Sequence, residues 1–226
     1  MASLTKNNVE TSCMVAVMSM KAVFVAANCI DMKNGYAVDQ SVNYKLRYTS
    51  TDTDAAPIYN VDATKITIHP NYNQTTLENN IAIIEFNENT VDDYVSFVST
   101  NDFSAKTEAY VRRNYVESKA EWDTPSVLNQ DTENDDCKNS SPLYKTNSEW
   151  MSCTSSVTTS YITNDCSIPY GLMYKEKDTD IIVMTSLYSH SVVYGNDMCS
   201  KPSKIINYYT LLWPYLGFAA NTLGYS

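Results

Sequence analysis

Residues 13–29 read CMVAVMSMKAVFVAANC, and this stretch decides the fold. Two apolar runs lie on either side of a polar turn near Ser19 to Lys21, a pattern that predicts two core strands joined by a turn. The apolar run from Met14 to Ala27 is not expected to cross a membrane, because Lys21 interrupts it and a spanning helix needs ~20 residues.

The rest of the chain continues the strand pattern. Short β-rich runs alternate with polar turns up to about Phe97, and similar runs return after Cys137. Val, Ile, Thr and Tyr are abundant, whereas only 5 of the 226 residues are glycine, a balance that favours strands. We therefore predict an all-β protein that is large enough to bury a sizeable core.

The cysteines indicate the compartment. Six cysteines with wide spacings and no Cys-x-x-Cys motif predict a disulfide framework rather than a zinc site. Such a framework forms under oxidising conditions, so we expect a secreted, extracellular protein. The first residues, MASLTKNNVETS, lack a basic segment followed by an apolar core, so we expect that a secretory signal has been removed or lies outside this sequence.

The formal net charge of −10 at pH 7 narrows the choice of partners. An acidic surface repels nucleic-acid phosphates and anionic membranes, so we expect neither as a partner. One acidic run lacks the glycine and the spacing of a calcium-binding loop, and we interpret it as a solvated turn: Asp131, Glu133, Asp135 and Asp136. We predict no metal and no cofactor.

Three motifs lie at wide intervals along the chain. The first stretch ends in Ala-Ala-Asn-Cys, which includes Asn28. A second segment, HPNYNQTTLENNIAIIEF, begins at His69 and carries Asn80 before Ile-Ala. A third, DCSIPYGLMY, begins at Asp165 and carries Tyr170 before a glycine. Together these motifs resemble the segments around the catalytic His, Asp and Ser of the trypsin family, with each catalytic residue replaced.

The resemblance implies a fold of two six-stranded antiparallel Greek-key barrels followed by a short C-terminal helix. The N-terminal barrel would span residues 1–100, and the C-terminal barrel with its helix would span residues 101–226, as one trypsin-like domain. Three successive disulfides are implied, Cys13–Cys29, Cys137–Cys153 and Cys166–Cys199. An apolar stripe in the C-terminal helix is expected to pack against the second barrel: Leu212, Tyr215 and Phe218.

The substitutions predict that the chain is not an enzyme. Catalysis in this family needs a nucleophilic hydroxyl, an imidazole that takes its proton, and a carboxylate that holds the imidazole. Asn28 cannot act as a general base, Asn80 carries no negative charge, and Tyr170 has a phenol with an ordinary pKa of about 10. The oxyanion position matches Ile168 and the activation aspartate matches Pro169, so both of these functions are expected to be lost as well.

The resemblance also identifies the positions of the substrate pocket. Asn164 matches the pocket floor, whereas Leu187 and Tyr188 match a Trp-Gly pair at the entrance. A large side chain is therefore expected where glycine would admit the substrate. The segment LYSHSVVYGNDM, residues 187–198, is expected to be a long loop beside the former cleft and a candidate binding surface.

The chain contains 2 histidines. His69 lies where the family often has a non-catalytic histidine, so a structural role is expected. His190 would need Ser189 or Ser191 beside it to form a new histidine–serine pair. Adjacent residues on a strand face opposite sides, so we expect no such pair.

Two sequons fall in predicted exposed turns. They are Asn73-Gln-Thr and Asn139-Ser-Ser, and both asparagines are candidates for N-glycosylation of a secreted chain. A glycan on Asn73 would shade one rim of the former cleft, because the segment bearing Asn80 follows it.

These observations favour a secreted, catalytically inactive serine-protease homologue that binds another protein as a decoy, competitor or adaptor. Host-facing interactions are among the roles that the resemblance implies, and the sequence does not name the partner protein. Two alternatives stay open. A residual hydrolase would use Tyr170, Ser167 or Ser189 with water. A structural or matrix component would use the 18 tyrosines for contact surfaces or cross-links.

Overall fold

The computed structural model describes residues 2–35, 37–49, 58–87, 109–116, 119–123, 135–156, 171–175, 182–194 and 204–225. The strands of the N-terminal half are β1 Ala2–Lys6, β2 Val9–Ser19, β3 Ala22–Val25, β4 Met32–Lys33, β5 Ala37–Val38, β6 Tyr44–Thr49, β7 Ile58–Asp62, β8 Lys65–Ile68 and β9 Ala82–Glu85. The C-terminal half contains β10 Ala109–Val116, β11 Lys119–Asp123, α1 Asp135–Ser140, α2 Pro142–Asn147, β12 Met151–Ser156, β13 Gly171–Lys175, β14 Ile182–Tyr194, β15 Lys204–Leu211 and α3 Leu216–Leu223. Short 3₁₀ turns occupy Ala27–Cys29 and Trp213–Tyr215.

The first sheet contains seven antiparallel strands in the order β7-β6-β1-β2-β3-β9-β8. Its edge strands, β7 and β8, are separated along the chain only by Ala63 and Thr64. The Ala63 N–H donates to the Tyr44 carbonyl at 2.9 Å, and the Thr64 N–H donates to the Glu85 carbonyl at 2.8 Å. This one segment therefore pairs with both ends of the sheet, and the sheet curls on itself.

The second sheet contains six antiparallel strands in the order β11-β10-β13-β14-β15-β12. β14 pairs with β13 over its first half and with β15 from Ser186 to Tyr194. The register shifts between Tyr188 and His190, which marks a β-bulge at Ser189. β4 and β5 form a separate two-stranded hairpin.

The strand-rich architecture, the curled antiparallel sheet and the short C-terminal helix agree with the fold that the sequence predicts. The closure of each sheet into a barrel stays a prediction, and the first sheet contains seven described strands where the sequence predicts six. The domain boundary at residue 100 also stays a prediction, because residues 88–108 lie outside the described residues.

The prediction of a long loop over residues 187–198 is wrong for the first part of that segment. Residues up to Tyr194 belong to β14, where Ser191 is paired with Asn207 and Val192 with Ile206 of β15. These backbone pairs make the segment part of the sheet. Residues 195–198 lie outside the described residues.

The apolar runs of β2 and β3 are continuous because both faces of these strands are buried. One face lines the interior of the first sheet, where Val15, Val17, Val23 and Val25 pack together. The opposite face packs against β14 and the C-terminal segment in a second cluster. We call this cluster the inter-sheet core: Met14, Ala16, Ala22, Phe24, Ile81, Ile83, Met184, Leu187, Leu212, Tyr215 and Ala219.

The C-terminal stripe contributes to the inter-sheet core. Leu212 and Tyr215 are buried in it, and Phe218 packs against it partly buried. The helix α3 begins only at Leu216, so Leu212 lies before it. The stripe packs against the second sheet, since Met184 and Leu187 share this core, and the same core also contains Phe24 of the first sheet.

Two of the three predicted disulfides are confirmed. Cys13 is bonded to Cys29, and Cys137 is bonded to Cys153, with Cα atoms 6.1 and 6.3 Å apart. The second bond fastens α1 to β12. The third predicted pair, Cys166–Cys199, lies outside the described residues.

The acidic run predicted to be a solvated turn is described only in part. Asp135 and Asp136 are exposed in the first turn of α1, where the helix dipole favours negative charge. In the part of the chain that the structure describes, no three His, Cys, Asp or Glu side chains come together to hold a metal. Among the same residues, no helix is both long and apolar enough to cross a membrane.

Candidate functional site

Asn28 lies in the 3₁₀ turn directly after β3, and the turn is held firmly. The Cys29 N–H donates to the Ala26 carbonyl and the Ile30 N–H donates to the Ala27 carbonyl, both at 3.0 Å. Cys29 is also tied to β2 by its disulfide, and Ala27 is fully buried. Asn28 itself is exposed, so a fixed backbone presents its side chain at the surface.

Asn80 lies just before β9 and is buried, with 1% of its surface exposed. The preceding residue, Asn79, has a φ of 52° in the left-handed region, which asparagine tolerates better than most residues. The Ile81 N–H donates to the Asn79 carbonyl at 2.7 Å. This tight turn directs the Asn80 side chain towards Asn28, whose backbone N–H donates to the Asn80 Oδ1 at 2.8 Å.

Ser189 of β14 joins both asparagines across the two sheets. The Asn80 Nδ2 donates to the Ser189 Oγ at 3.2 Å, and the Asn28 Nδ2 donates to the Ser189 carbonyl at 3.2 Å. Ser189 is 2% exposed. We call these three residues the amide node, because two side-chain amides hold a strand of the second sheet against the first.

His190 extends the amide node. Its Nδ1 lies 3.2 Å from the Ser189 Oγ, and its ring stacks on Tyr208 with centroids 4.6 Å apart and planes 11° apart. The expectation that His190 has no serine beside it is therefore wrong. The β-bulge at Ser189 breaks the alternation of side chains, so two adjacent residues come within hydrogen-bond distance.

The hydrogen bonds around Ser189 orient the Asn80 amide and bring the Ser189 hydroxyl to His190. Because the Asn80 Oδ1 accepts from Asn28, its Nδ2 is the donor to the Ser189 Oγ. The Ser189 hydroxyl can donate its own proton to the Nδ1 of neutral His190 or accept a proton from that nitrogen, according to the histidine tautomer. Burial lowers the pKa of His190, which favours this neutral form.

The chemistry of the amide node is that of a neutral hydrogen-bond network. An asparagine amide neither takes up nor releases a proton near neutral pH. His190 is therefore the group that titrates among the amide node and its histidine neighbour. Ser189, the hydroxyl beside it, is buried and presents almost no surface to a substrate. The arrangement is therefore suited to holding two sheets together.

Leu187 and Tyr188 lie on opposite faces of β14. Leu187 is 1% exposed within the inter-sheet core. The Tyr188 hydroxyl lies 2.8 Å from the Ser191 Oγ, which donates to the Asn207 Oδ1 at 2.6 Å. Burial raises the pKa of Tyr188. The assignment of both residues to a specificity pocket stays a prediction, because the floor position, Asn164, lies outside the described residues.

His69 connects the first sheet to the C-terminal segment. Its ring lies edge-on to Tyr215 and Phe218, with centroids 5.4 and 4.8 Å away. Its Nδ1 accepts the Asn71 N–H at 3.2 Å. Burial lowers the pKa of His69, and these contacts support the expected structural role.

Other predicted site residues can be placed only in part. Asn73 and Asn139, the sequon asparagines, are both exposed. The remaining predicted positions lie outside the described residues: Asn164, Cys166, Ser167, Ile168, Pro169, Tyr170 and Cys199.

Sequence reasoning missed the anchoring role of Ser189, which it treated only as an alternative nucleophile. The nearby Ser186 is fully buried, and its hydroxyl has no hydrogen-bond partner among the described residues. No pattern in the sequence marks the bulge that turns Ser189 towards Asn80. Asn207 was also missed, since an asparagine in a strand gives no signal of a partner on the next strand.

We compared the sequence of the chain with models of known protein families. The trypsin family model matches residues 1–165 of the chain. The chain belongs to the trypsin family. No curated protein matches it.

Proposed function

We propose that this protein is a secreted, non-catalytic member of the trypsin family that acts by binding another protein, as a decoy, competitor or adaptor. The observation that carries the proposal is the amide node. At the positions that resemble the catalytic His and Asp, the chain has two amides, and both are engaged in hydrogen bonds that join the sheets.

The direction of one hydrogen bond argues against a proton-relay role. The Asn80 Nδ2 donates to Ser189, and an ionised carboxylate has no proton to donate in this way. The Asn28 side chain is likewise engaged by a backbone carbonyl and has no basic nitrogen. These contacts support a scaffold that has kept its fold and lost its general base.

The segment of residues 69–80 is the preferred binding surface. It is held from within: the Asn73 N–H donates to the Glu78 carbonyl at 3.0 Å, and the Asn79 Nδ2 donates to the Asn71 carbonyl at 3.0 Å. It leads directly into Asn80, and most of its residues are exposed. A rigid, exposed loop beside a former cleft binds a partner with little loss of conformational entropy.

Peptide hydrolysis and fluorophosphonate labelling test the loss of catalysis. The protein is expected to give neither. The double variant Asn28→His with Asn80→Asp is expected to stay inactive because the sequence has Tyr170 where its relatives have the nucleophilic serine. Adding Tyr170→Ser to that double variant is the matched comparison. Labelling of the unmodified protein at a serine would contradict the proposal.

Capture of a partner from the native extracellular fluid tests binding. The oxidised, folded protein serves as bait, and a reduced, unfolded sample is the control. A partner that is captured only by the folded bait is then tested against Glu78→Lys in the proposed surface and Lys145→Glu on α2. Only the first variant is expected to weaken binding, and equal binding by both would place the interface elsewhere.

A residual hydrolase is the second candidate, and the 3.2 Å contact between Ser189 and His190 is the observation that favours it. The burial of Ser189 opposes it. Fluorophosphonate labelling that disappears in Ser189→Ala and persists in Ser191→Ala would establish it.

A further inference from the structure

The two sequons of the chain differ in structure although both asparagines are exposed. Asn73 lies in an exposed turn. Its Oδ1 accepts the N–H groups of Thr75 and Thr76 at 2.9 and 3.1 Å, so the side chain folds back over its own sequon. No hydrogen bond among the described residues uses the Asn73 Nδ2, the atom that a glycan would substitute.

The surroundings of Asn73 leave room for a large substituent. Gln74, Thr75 and Thr76 are all exposed, and the turn is closed by a backbone bond from the Leu77 N–H to the Asn73 carbonyl at 2.7 Å. These bonds use the backbone and the Oδ1 of Asn73. A glycan on Nδ2 would therefore break none of them.

Asn139 lies in a different setting, within the helix α1. The hydroxyl of its sequon belongs to Ser141, which is 4% exposed and accepts the Tyr144 N–H at 3.2 Å as the cap of α2. The middle residue of the sequon, Ser140, accepts a hydrogen bond from the Tyr194 hydroxyl at 2.6 Å. The sequon hydroxyl is therefore engaged as a helix cap, and the acceptor asparagine lies within a helix.

We propose that Asn73 carries an N-linked glycan and that Asn139 does not. The donor is a polyprenyl-pyrophosphate-linked oligosaccharide. A bond forms between the Asn73 Nδ2 and C1 of the first sugar, and the bond from C1 to the pyrophosphate oxygen breaks. The polyprenyl pyrophosphate leaves, and one Nδ2 proton passes to a base of the transferase.

The difference in glycan occupancy between the two sequons arises during folding. The sequon at Asn139 adjoins Cys137, whose disulfide to Cys153 closes a loop with a sequence separation of only 16 residues. Short-range contacts form early, because closing a short loop costs little entropy. Once α1 and the cap of α2 have formed, the Ser141 hydroxyl is buried and no longer accessible to the transferase. The exposed turn at Asn73 keeps its sequon accessible.

Mass analysis of the full chain, produced in a secreting eukaryotic cell line, tests the proposal. Peptides are mapped after N-glycosidase treatment, which converts each glycosylated Asn to Asp. One glycan per chain is expected. It should be lost in Asn73→Gln and in Thr75→Ala, and it should be retained in Thr75→Ser and in the matched control Asn139→Gln. An unmodified Asn73 or an occupied Asn139 would overturn the proposal.

A second variant tests the folding argument. Removing the disulfide by Cys137→Ser with Cys153→Ser should delay the docking of α1 and produce glycosylation at Asn139. Glycan occupancy is measured in cell lysate as well as in medium, so a variant that is not secreted still gives a result. No gain at Asn139 would overturn the explanation. Asn73 lies within the proposed binding segment of residues 69–80, so a glycan there would border a bound partner. Occupancy is measured by mass analysis and binding by capture, so failure of this proposal is distinguishable from failure of the proposed function.

Discussion

The two sheets are joined in two places by different kinds of interaction. The inter-sheet core is apolar and contains fully buried residues such as Phe24 and Leu212. The amide node is polar and depends on hydrogen bonds at 2.8 and 3.2 Å. Burial of apolar area supplies most of the stabilisation and has little directional preference, whereas the hydrogen bonds fix which residues face each other.

The largest expected effect is in the inter-sheet core. Phe24→Ala should lower the free energy of unfolding by about 3–5 kcal/mol, because it removes a buried ring and leaves a cavity. Chemical denaturation measures this change. Val9→Ala is the control, since Val9 is 68% exposed and should change little. A loss from Phe24→Ala no larger than that of the control would mean that this core does not join the sheets.

A smaller effect is expected at Asn80, the buried asparagine of the amide node. Asn80→Ala should lower the free energy of unfolding by about 1–3 kcal/mol, because it leaves the Asn28 N–H without its acceptor and removes the donor to the Ser189 Oγ. The same denaturation experiment measures it. If Asn80→Ala proved neutral, the node would be incidental to joining the two sheets.

Asn28→Ala should lower the free energy of unfolding by less, about 0.5–1 kcal/mol. It removes only the bond from the Asn28 Nδ2 to the Ser189 carbonyl, and the backbone bond from Asn28 to Asn80 remains. Asn28 is exposed, so water can replace the lost partner. Comparing the unfolding midpoints of the two alanine variants tests this order, and a larger loss for Asn28→Ala would reverse it.

The smallest expected effect is a dependence of stability on pH. Burial lowers the pKa of both His69 and His190 in the folded protein. As the pH falls below the ordinary histidine pKa of ~6.5, the unfolded chain binds more protons than the folded one, so the free energy of unfolding should decrease. Denaturation at a series of pH values measures the slope, and His69→Gln with His190→Asn should flatten it.

A nuclear magnetic resonance titration separates the contribution of the amide node from that of His69. Asn80→Asp places a carboxylate beside Ser189, so it should raise the pKa of His190 and leave that of His69 unchanged. An unchanged His190 titration would show that the contact through Ser189 does not couple the two side chains.

Much of the fold follows from local patterns. The alternating β-rich runs predict the strands, and the even cysteines with their family resemblance predict the two described disulfides. The resemblance also named Asn28 and Asn80, which the structure brings together. The local sequence could not show that β2 and β3 are buried on both faces, because a continuous apolar run fits several packings.

By itself the sequence determined the strand-rich class, the acidic and disulfide-bonded character, and the amides at two positions of the resemblance. Only the tertiary structure decided what those amides bind. Asn80 and Ser189 are separated by 109 residues, and their contact depends on a one-residue bulge in β14. Such a bulge changes the direction of a side chain without changing the hydrophobic pattern, so long-range packing and not local preference places Ser189 against Asn80.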